Sequence, residues 1–295
     1  MSSVSRRIRD SWVLASMRPP IPPKYQLHRA GDAKIDLTGK RVLLTGASSG
    51  IGEAAAVKFA QQGAIVAVVA RREERLTELV DRITAAGGVA HAFPCDLSDI
   101  DAIDALAAQV ESKLGGVDVL VNNAARSIRR PMAVSLDRWH DLDRLMQLNL
   151  YGPLRLIRAV APAMLERGDG HIINVSTWGV FFEGAPLFGL YNASKAALAT
   201  IGATMETEWG RKGVHTTTLY YPLVKTDMSA PTKAFERIPG LTPDEAAEWM
   251  VIAAQTRPIR IAPRVALTAR TISALNPTAG LALMARSGFR PPKLP

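Results

Sequence analysis

With 295 residues, 47% of them hydrophobic, the chain suits one large α/β domain or two modest ones and is too apolar to be disordered. Cys95 is the only cysteine, which excludes an intrachain disulfide and fits a reducing cytoplasm. Five scattered histidines with no close cysteine or carboxylate cluster predict no metal site. The net charge of +9 sits at the ends: residues 1–41 hold nine Lys/Arg against three Asp/Glu, and residues 256–295 hold seven against none. The 20 basic and 24 acidic residues between them argue against a nucleic-acid enzyme.

Residues 1–34 read as a basic, proline-containing extension. Its segment Ser5 to Ala15 has amphipathic helical spacing, and "MRPPIPPKY" cannot be regular helix. No apolar run approaches the roughly 20 residues that span a bilayer, and nothing at the N-terminus has the pattern of a secretory signal. From Arg41 onward short apolar runs alternate with helical patterns. Strands are predicted at 41–45, 64–70, 89–93, 117–121, 171–175 and 214–220, with a candidate at 259–263. Helices are predicted at 51–63, 73–86, 99–114, 137–167, 190–211 and 242–256, the last opening on a Thr cap with acids in its first turn. Such alternation implies right-handed crossovers and a doubly wound, Rossmann-like parallel sheet over residues 35–263. Residues 264–295 read as a basic, apolar C-terminal extension.

The turn after the first strand, "TGASSGIG", carries Gly46, Ser48, Ser49, Gly50, Ile51 and Gly52. Glycines there allow a tight turn and a close approach of backbone amides, and the helix N-terminus favours a pyrophosphate. At the end of the second strand, where an acid would bind a ribose 2′-hydroxyl, stand Arg71 and Arg72. Two guanidinium groups suit a 2′-phosphate, so NADP(H) is the expected cofactor. Tyr191 and Lys195 in "YNASK" are four residues apart and share a helix face. A free tyrosine holds its proton to about pH 10 and exchanges it poorly near neutrality.

With "CDLSD" (95–99), "VNNAA" (121–125) and "LNLYG" (148–152), these motifs resemble the short-chain dehydrogenase/reductase family over residues 36–230. The resemblance implies that Asp96 and Leu97 border the adenine, and that Asn123, Ala124 and Ala125 form the cofactor turn. Asn149 would hold a water relay. Tyr191 would be the proton donor, with Lys195 lowering its pKa and binding the nicotinamide ribose. The third catalytic hydroxyl falls on Thr177 when counted from Asn174 and on Ser176 when matched by residue type; strand register slightly favours Thr177. In "YYPLVKTDM", Tyr221-Pro222 stand where the family has Pro-Gly, while Val224 and Thr226 remain to bind the carboxamide.

The stretch from Pro222 to Met250 is also similar to actinobacterial reductases of long-chain acyl or fatty aldehyde groups. Trp178, Val180, Phe181, Phe182, Leu187 and Phe188 would line a pocket for a hydrophobic aldehyde or ketone or, equally, serve as core or oligomer contacts. The competing readings are oxidation of an alcohol at the same site and a non-catalytic NADP(H) sensor or scaffold. By analogy with the family the chain is expected to form a homo-oligomer. Its basic ends are expected to meet an anionic membrane surface or to pack on the core.

Overall fold

A computed structural model describes residues 3–19, 34–182, 184–236 and 238–285. Strand β1, Arg41–Thr45, is buried along nearly its whole length, as the unbroken apolar run requires. It lies between β2 (Ile65–Ala70) and β4 (Val119–Asn122), and all the pairing is parallel. With β3 (Val89–Pro94), β5 (Gly170–Thr177), β6 (Val214–Tyr221) and β7 (Arg260–Ile261), the seven-stranded sheet has the order β3-β2-β1-β4-β5-β6-β7. The order reverses between β1 and β4, and there the crossovers leave a crevice at the carboxyl ends of the strands.

Alternate residues of each strand feed two cores. One gathers Val42, Leu44, Val66 and Val68 with apolar residues of α2 (Gly50–Gln61), α3 (Glu73–Ala85) and α10 (Pro243–Thr256). The other gathers Leu43, Ala67, Val69 and Leu120 with α4 (Ala102–Leu114), α7 (Gly152–Arg167) and α8 (Gly189–Trp209). Helix α10 starts at the expected Thr242, in a full capping box with Glu245: Thr242 Oγ1 accepts the Glu245 N–H at 3.1 Å, and Glu245 Oε2 accepts the Thr242 N–H at 2.9 Å.

The helical region predicted at 137–167 runs without a break from Trp139 to Arg167, as α6 (Trp139–Met146), a π-helical turn at Gln147–Tyr151 and α7, with a short α5 (Met132–Leu136) before it. The N-terminal helix α1 runs Ser3–Met17, and the proline-rich stretch after it lies outside the described residues. The C-terminal segment is helical as far as it is described, with α11 (Arg264–Leu275) and α12 (Pro277–Ala285). Helix α11 packs against α1, and the Arg264 N–H donates to the Arg18 carbonyl at 3.2 Å.

Candidate active site

The crevice is built around the turn after β1. Gly46 and Gly50 adopt φ of +70° and +59°, backbone that glycine alone enters freely. A Cβ on Gly52 would collide with the Gly46 carbonyl, so the turn closes only without side chains there. Thr45 clamps this turn to the tip of β4. Its hydroxyl donates to Val121 O (3.1 Å) and accepts the N–H groups of Asn123 (2.9 Å) and Ala124 (3.0 Å). The Asn123 amide is also committed here, donating to Thr45 O at 2.8 Å. The sequence reading missed Thr45, because a threonine ending a strand looks like an ordinary β-branched strand residue.

Beyond the turn the wall carries positive charge. Arg72 folds back onto Ser48, donating to its Oγ at 3.0 Å and its carbonyl at 3.3 Å. Arg71 lies 3.7 Å from the Asp96 carboxylate. Burial pushes the Asp96 carboxyl up, but hydrogen bonds from Ser98 and the charges of Arg71 and Arg126 outweigh it and hold the group below its ordinary value. Glycine backbone without Cβ atoms, a helix N-terminus and two guanidinium groups form a donor set that fits a dinucleotide bearing an extra phosphate. Ser48, Ser49, Ile51, Leu97, Ala124 and Ala125 line the same cavity.

Asn149 sits inside the π-helical turn and is fully buried. Its Oδ1 accepts the Arg126 N–H at 2.8 Å, while Nδ2 donates to Arg126 O at 2.9 Å and Ser194 Oγ at 3.0 Å. Its side-chain amide is therefore committed to protein groups. It ties the strand-β4 loop to α8. Single π-turns often occur at functional sites, and this one aims a polar side chain inward from an otherwise apolar helix.

Tyr191 and Lys195 lie on successive turns of α8 and face the cavity. Lys195 is buried to 2% exposure, and its ammonium donates to the Val175 carbonyl at 2.8 Å. Burial lowers the Lys195 pKa to about 8 and raises that of Tyr191 to about 12. Desolvation dominates, and the lysine spends a hydrogen bond on strand β5. The two candidate hydroxyls also differ. Ser176 is buried and donates a long bond, 3.4 Å, to Lys195 O. Thr177 Oγ1 accepts the Gly179 N–H at 3.2 Å, which leaves its own O–H free to donate.

The loop after β6 closes the crevice. Val224 bridges Leu241, and Thr226 stands over Gly50. The Thr226 N–H donates to Ser229 Oγ at 3.0 Å, so the Thr226 hydroxyl is the group left for a ligand. Tyr221, standing in place of the family's proline, stacks on Trp249 with ring centroids 5.2 Å apart and donates to Ala246 O.

The cavity, about 880 Å³, continues past Tyr191 between aromatic and aliphatic walls. Phe188 lies 6.3 Å from Tyr191 and stacks on Phe235 at the same centroid distance. Trp178, Phe182, Met228 and Ile238 complete the apolar lining. Of the expected pocket residues, Phe181 and Val180 pack elsewhere, in a small cluster with Tyr220, Ala262 and Ala266. Leu187 is also absent from the lining. Its backbone takes a strained φ of +71°, and its carbonyl accepts the Arg130 N–H at 2.9 Å. Among the described residues no group of three or more His, Cys, Asp or Glu is placed to hold a metal.

A family model for short chain dehydrogenases matches residues 40–237. A Mycobacterium tuberculosis protein named fatty acyl-CoA reductase is 59% identical over 281 residues, 95% of this chain and 96% of that protein. Another protein of that name, from Acinetobacter baylyi, is 44% identical over 84% of each chain. Among solved structures, a metagenomic short-chain oxidoreductase in complex with NADP is 33% identical. It superposes with a TM-score of 0.65 over 75% of this chain and 92% of its own.

Proposed function

The chain belongs to the short-chain dehydrogenase family and is an oxidoreductase, and we propose that it uses NADPH to reduce the carbonyl of a long acyl chain, presented as a CoA thioester or as the aldehyde. The observation that carries this reading is the half-buried Tyr191, which faces an apolar cavity lined by Phe188 and Phe235. NADP(H) as cofactor is supported by the glycine turn and by Arg71 and Arg72, and by the NADP bound to a similar structure. The substrate class is supported by the names of two relatives.

When bound, NADPH supplies the hydride that reduces the carbonyl carbon. The protein supplies the proton and the geometry. Tyr191 faces the cavity and would donate its phenolic proton to the carbonyl oxygen. Thr177, whose O–H has no acceptor in the protein contact that occupies its oxygen, would hydrogen-bond that same oxygen. With a thioester, protonation of the oxygen gives a hemithioacetal; loss of the thiol then leaves the aldehyde. Lys195 holds the tip of β5 through the Val175 carbonyl, lines the cavity, and would bind the nicotinamide ribose. Arg71 and Arg72 would hold the 2′-phosphate, and the backbone from Gly46 to Gly52 the pyrophosphate.

Oxidation of an alcohol is the reverse of this step at the same residues, and reduction is favoured by the names of the two relatives. A sensor without turnover has no use for a proton donor one helical turn from a buried ammonium. We also read the protein as a homo-oligomer, because Leu136, Trp139 and Tyr151 on neighbouring elements are 65%, 64% and 47% exposed. The test of the central reading is NADPH and NADH consumption with acyl-CoAs and aldehydes of graded chain length. Turnover with NADPH that rises with chain length supports it; a preference for NADH or for short polar carbonyls contradicts it.

A further inference from the structure

We propose that the surface formed by α11, α12 and the exposed side of α1 docks on an anionic lipid bilayer, beside the apolar end of the cavity. Helix α11 buries Ala266, Ala269 and Ser273 on one side. Val265, Thr268, Ile272 and Leu275, at the spacing of a single helical stripe, lie exposed alongside it. Ile272 and Leu275 are 47% and 83% exposed, and Leu281 of α12 and Trp12 of α1 add 52% and 75%. Exposed aliphatic groups and an exposed tryptophan on helices that pack together are the composition of an interfacial surface. Among the described residues no helix is long and apolar enough to cross a membrane, so the contact lies in the plane of the bilayer.

Charge selects the partner. From Thr256 to Pro295 the sequence holds seven basic residues and no acid. Arg257 is paired with Asp169 and Arg270 lies over the Phe181 ring, 5.2 Å from its centroid, whereas among the described residues no carboxylate pairs with Arg260 or Arg264. A second copy docking through the same patch would set like charges against each other, because a two-fold interface meets itself. Anionic head groups supply the missing charge, while the aliphatic stripe enters the acyl region.

The position also matters. Ala266 and Leu267 of α11 pack in one cluster with Trp178, which lines the cavity, and Leu281 rests on Gly184, next to the lining residue Ala185. A long acyl chain leaving the bilayer would therefore meet the cavity wall within the same surface. This function depends on the proposed acyl substrate, but docking itself can be measured without turnover, so either reading can fail alone.

The experiment is co-sedimentation of the full chain with phosphatidylcholine vesicles, with and without phosphatidylglycerol, for wild type and the double variant Ile272→Glu with Leu275→Glu. Both sites are exposed, and light scattering together with turnover of a short, water-soluble aldehyde checks that the variant keeps its fold. We expect wild type to bind the phosphatidylglycerol vesicles in a salt-sensitive way and the variant to bind about tenfold or more weaker. Wild type that ignores both vesicle types, or binds them equally, overturns the proposal. So does a variant that binds as wild type does. A variant that loses an oligomer while its vesicle binding is unchanged assigns the stripe to a second copy and also overturns it.

Discussion

The Lys195 ammonium points at the carbonyl of Val175, 2.8 Å away, from a position almost fully removed from solvent. One hydrogen bond to a neutral carbonyl does not compensate an ammonium for its lost water, which is why its pKa falls to about 8. The protein keeps a costly charge in order to have it beside Tyr191.

That cost is measurable. A lysine whose folded pKa lies below its unfolded value binds fewer protons when folded, so its burial penalises the native state at neutral pH. The penalty, about 3 kcal/mol, fades as pH rises from about 8 toward about 10.5. Lys195→Met should therefore abolish turnover yet leave stability equal to or above that of wild type at pH 7. Denaturant unfolding of the two proteins across pH should show the gap closing, or turning in favour of wild type, above pH 8. A variant destabilised by several kcal/mol at pH 7 contradicts the desolvation account.

Arg71 and Arg72 should set cofactor choice. A charge-assisted hydrogen bond is worth about 1.5–3 kcal/mol, or roughly ten- to a hundredfold in affinity. Titration of Arg71→Ala with Arg72→Ala should show NADPH binding weakened by at least that much and NADH binding nearly unchanged. Part of the Arg72 effect should pass through Ser48, which its guanidinium touches at 3.0 Å.

The hydroxyl assignment can be ranked. Thr177→Val removes a donor that no protein acceptor uses through its capped oxygen, whereas Ser176→Ala removes only a 3.4 Å bond to Lys195 O. The first should lower kcat by about a hundredfold and the second by less than tenfold, on the scale of single acid–base or oxyanion contacts. The reverse order in steady-state kinetics would give the role to Ser176.

Asn149 should prove structural as much as catalytic. Asn149→Leu leaves the Arg126 N–H and C=O without their partners and should destabilise the fold by about 2–4 kcal/mol. Asn149→Asp keeps the acceptor for the Arg126 N–H and should unfold between the two in urea.

Much of this architecture is written in residue types. Strands buried on both faces appear as apolar runs such as "IVAVVA", and a turn that no Cβ can enter must be glycine at positions 46 and 52. The Thr242 cap and the polar residues of the cavity are legible for the same reason, since each needs one particular chemistry at one place. The π-turn at Asn149 is not legible, because one inserted residue shifts the helix without spoiling its apolar pattern. Neighbouring aromatics mislead in a similar way. The short 3₁₀ turn at Trp178–Phe181 sends Phe182 into the cavity and Phe181 into a different cluster, a choice made by backbone rather than composition. The Lys195 pKa depends on burial, which spacing alone does not reveal. The helical form of residues 264–285 was hidden by weak end signals: Pro263 offers α11 no side-chain cap.

The central claim is that the Tyr191 phenol gives its proton to a long-chain carbonyl during NADPH-dependent reduction. The most direct measurement is single-turnover NADPH oxidation with a long-chain acyl-CoA and its aldehyde, for wild type and Tyr191→Phe, with NADPH affinity recorded on the same samples. Wild type should turn over, and Tyr191→Phe should lose at least about a thousandfold in rate while binding NADPH almost as tightly. A variant that retains most of the wild-type rate, or a wild type that binds NADPH and reduces neither substrate, would contradict the account.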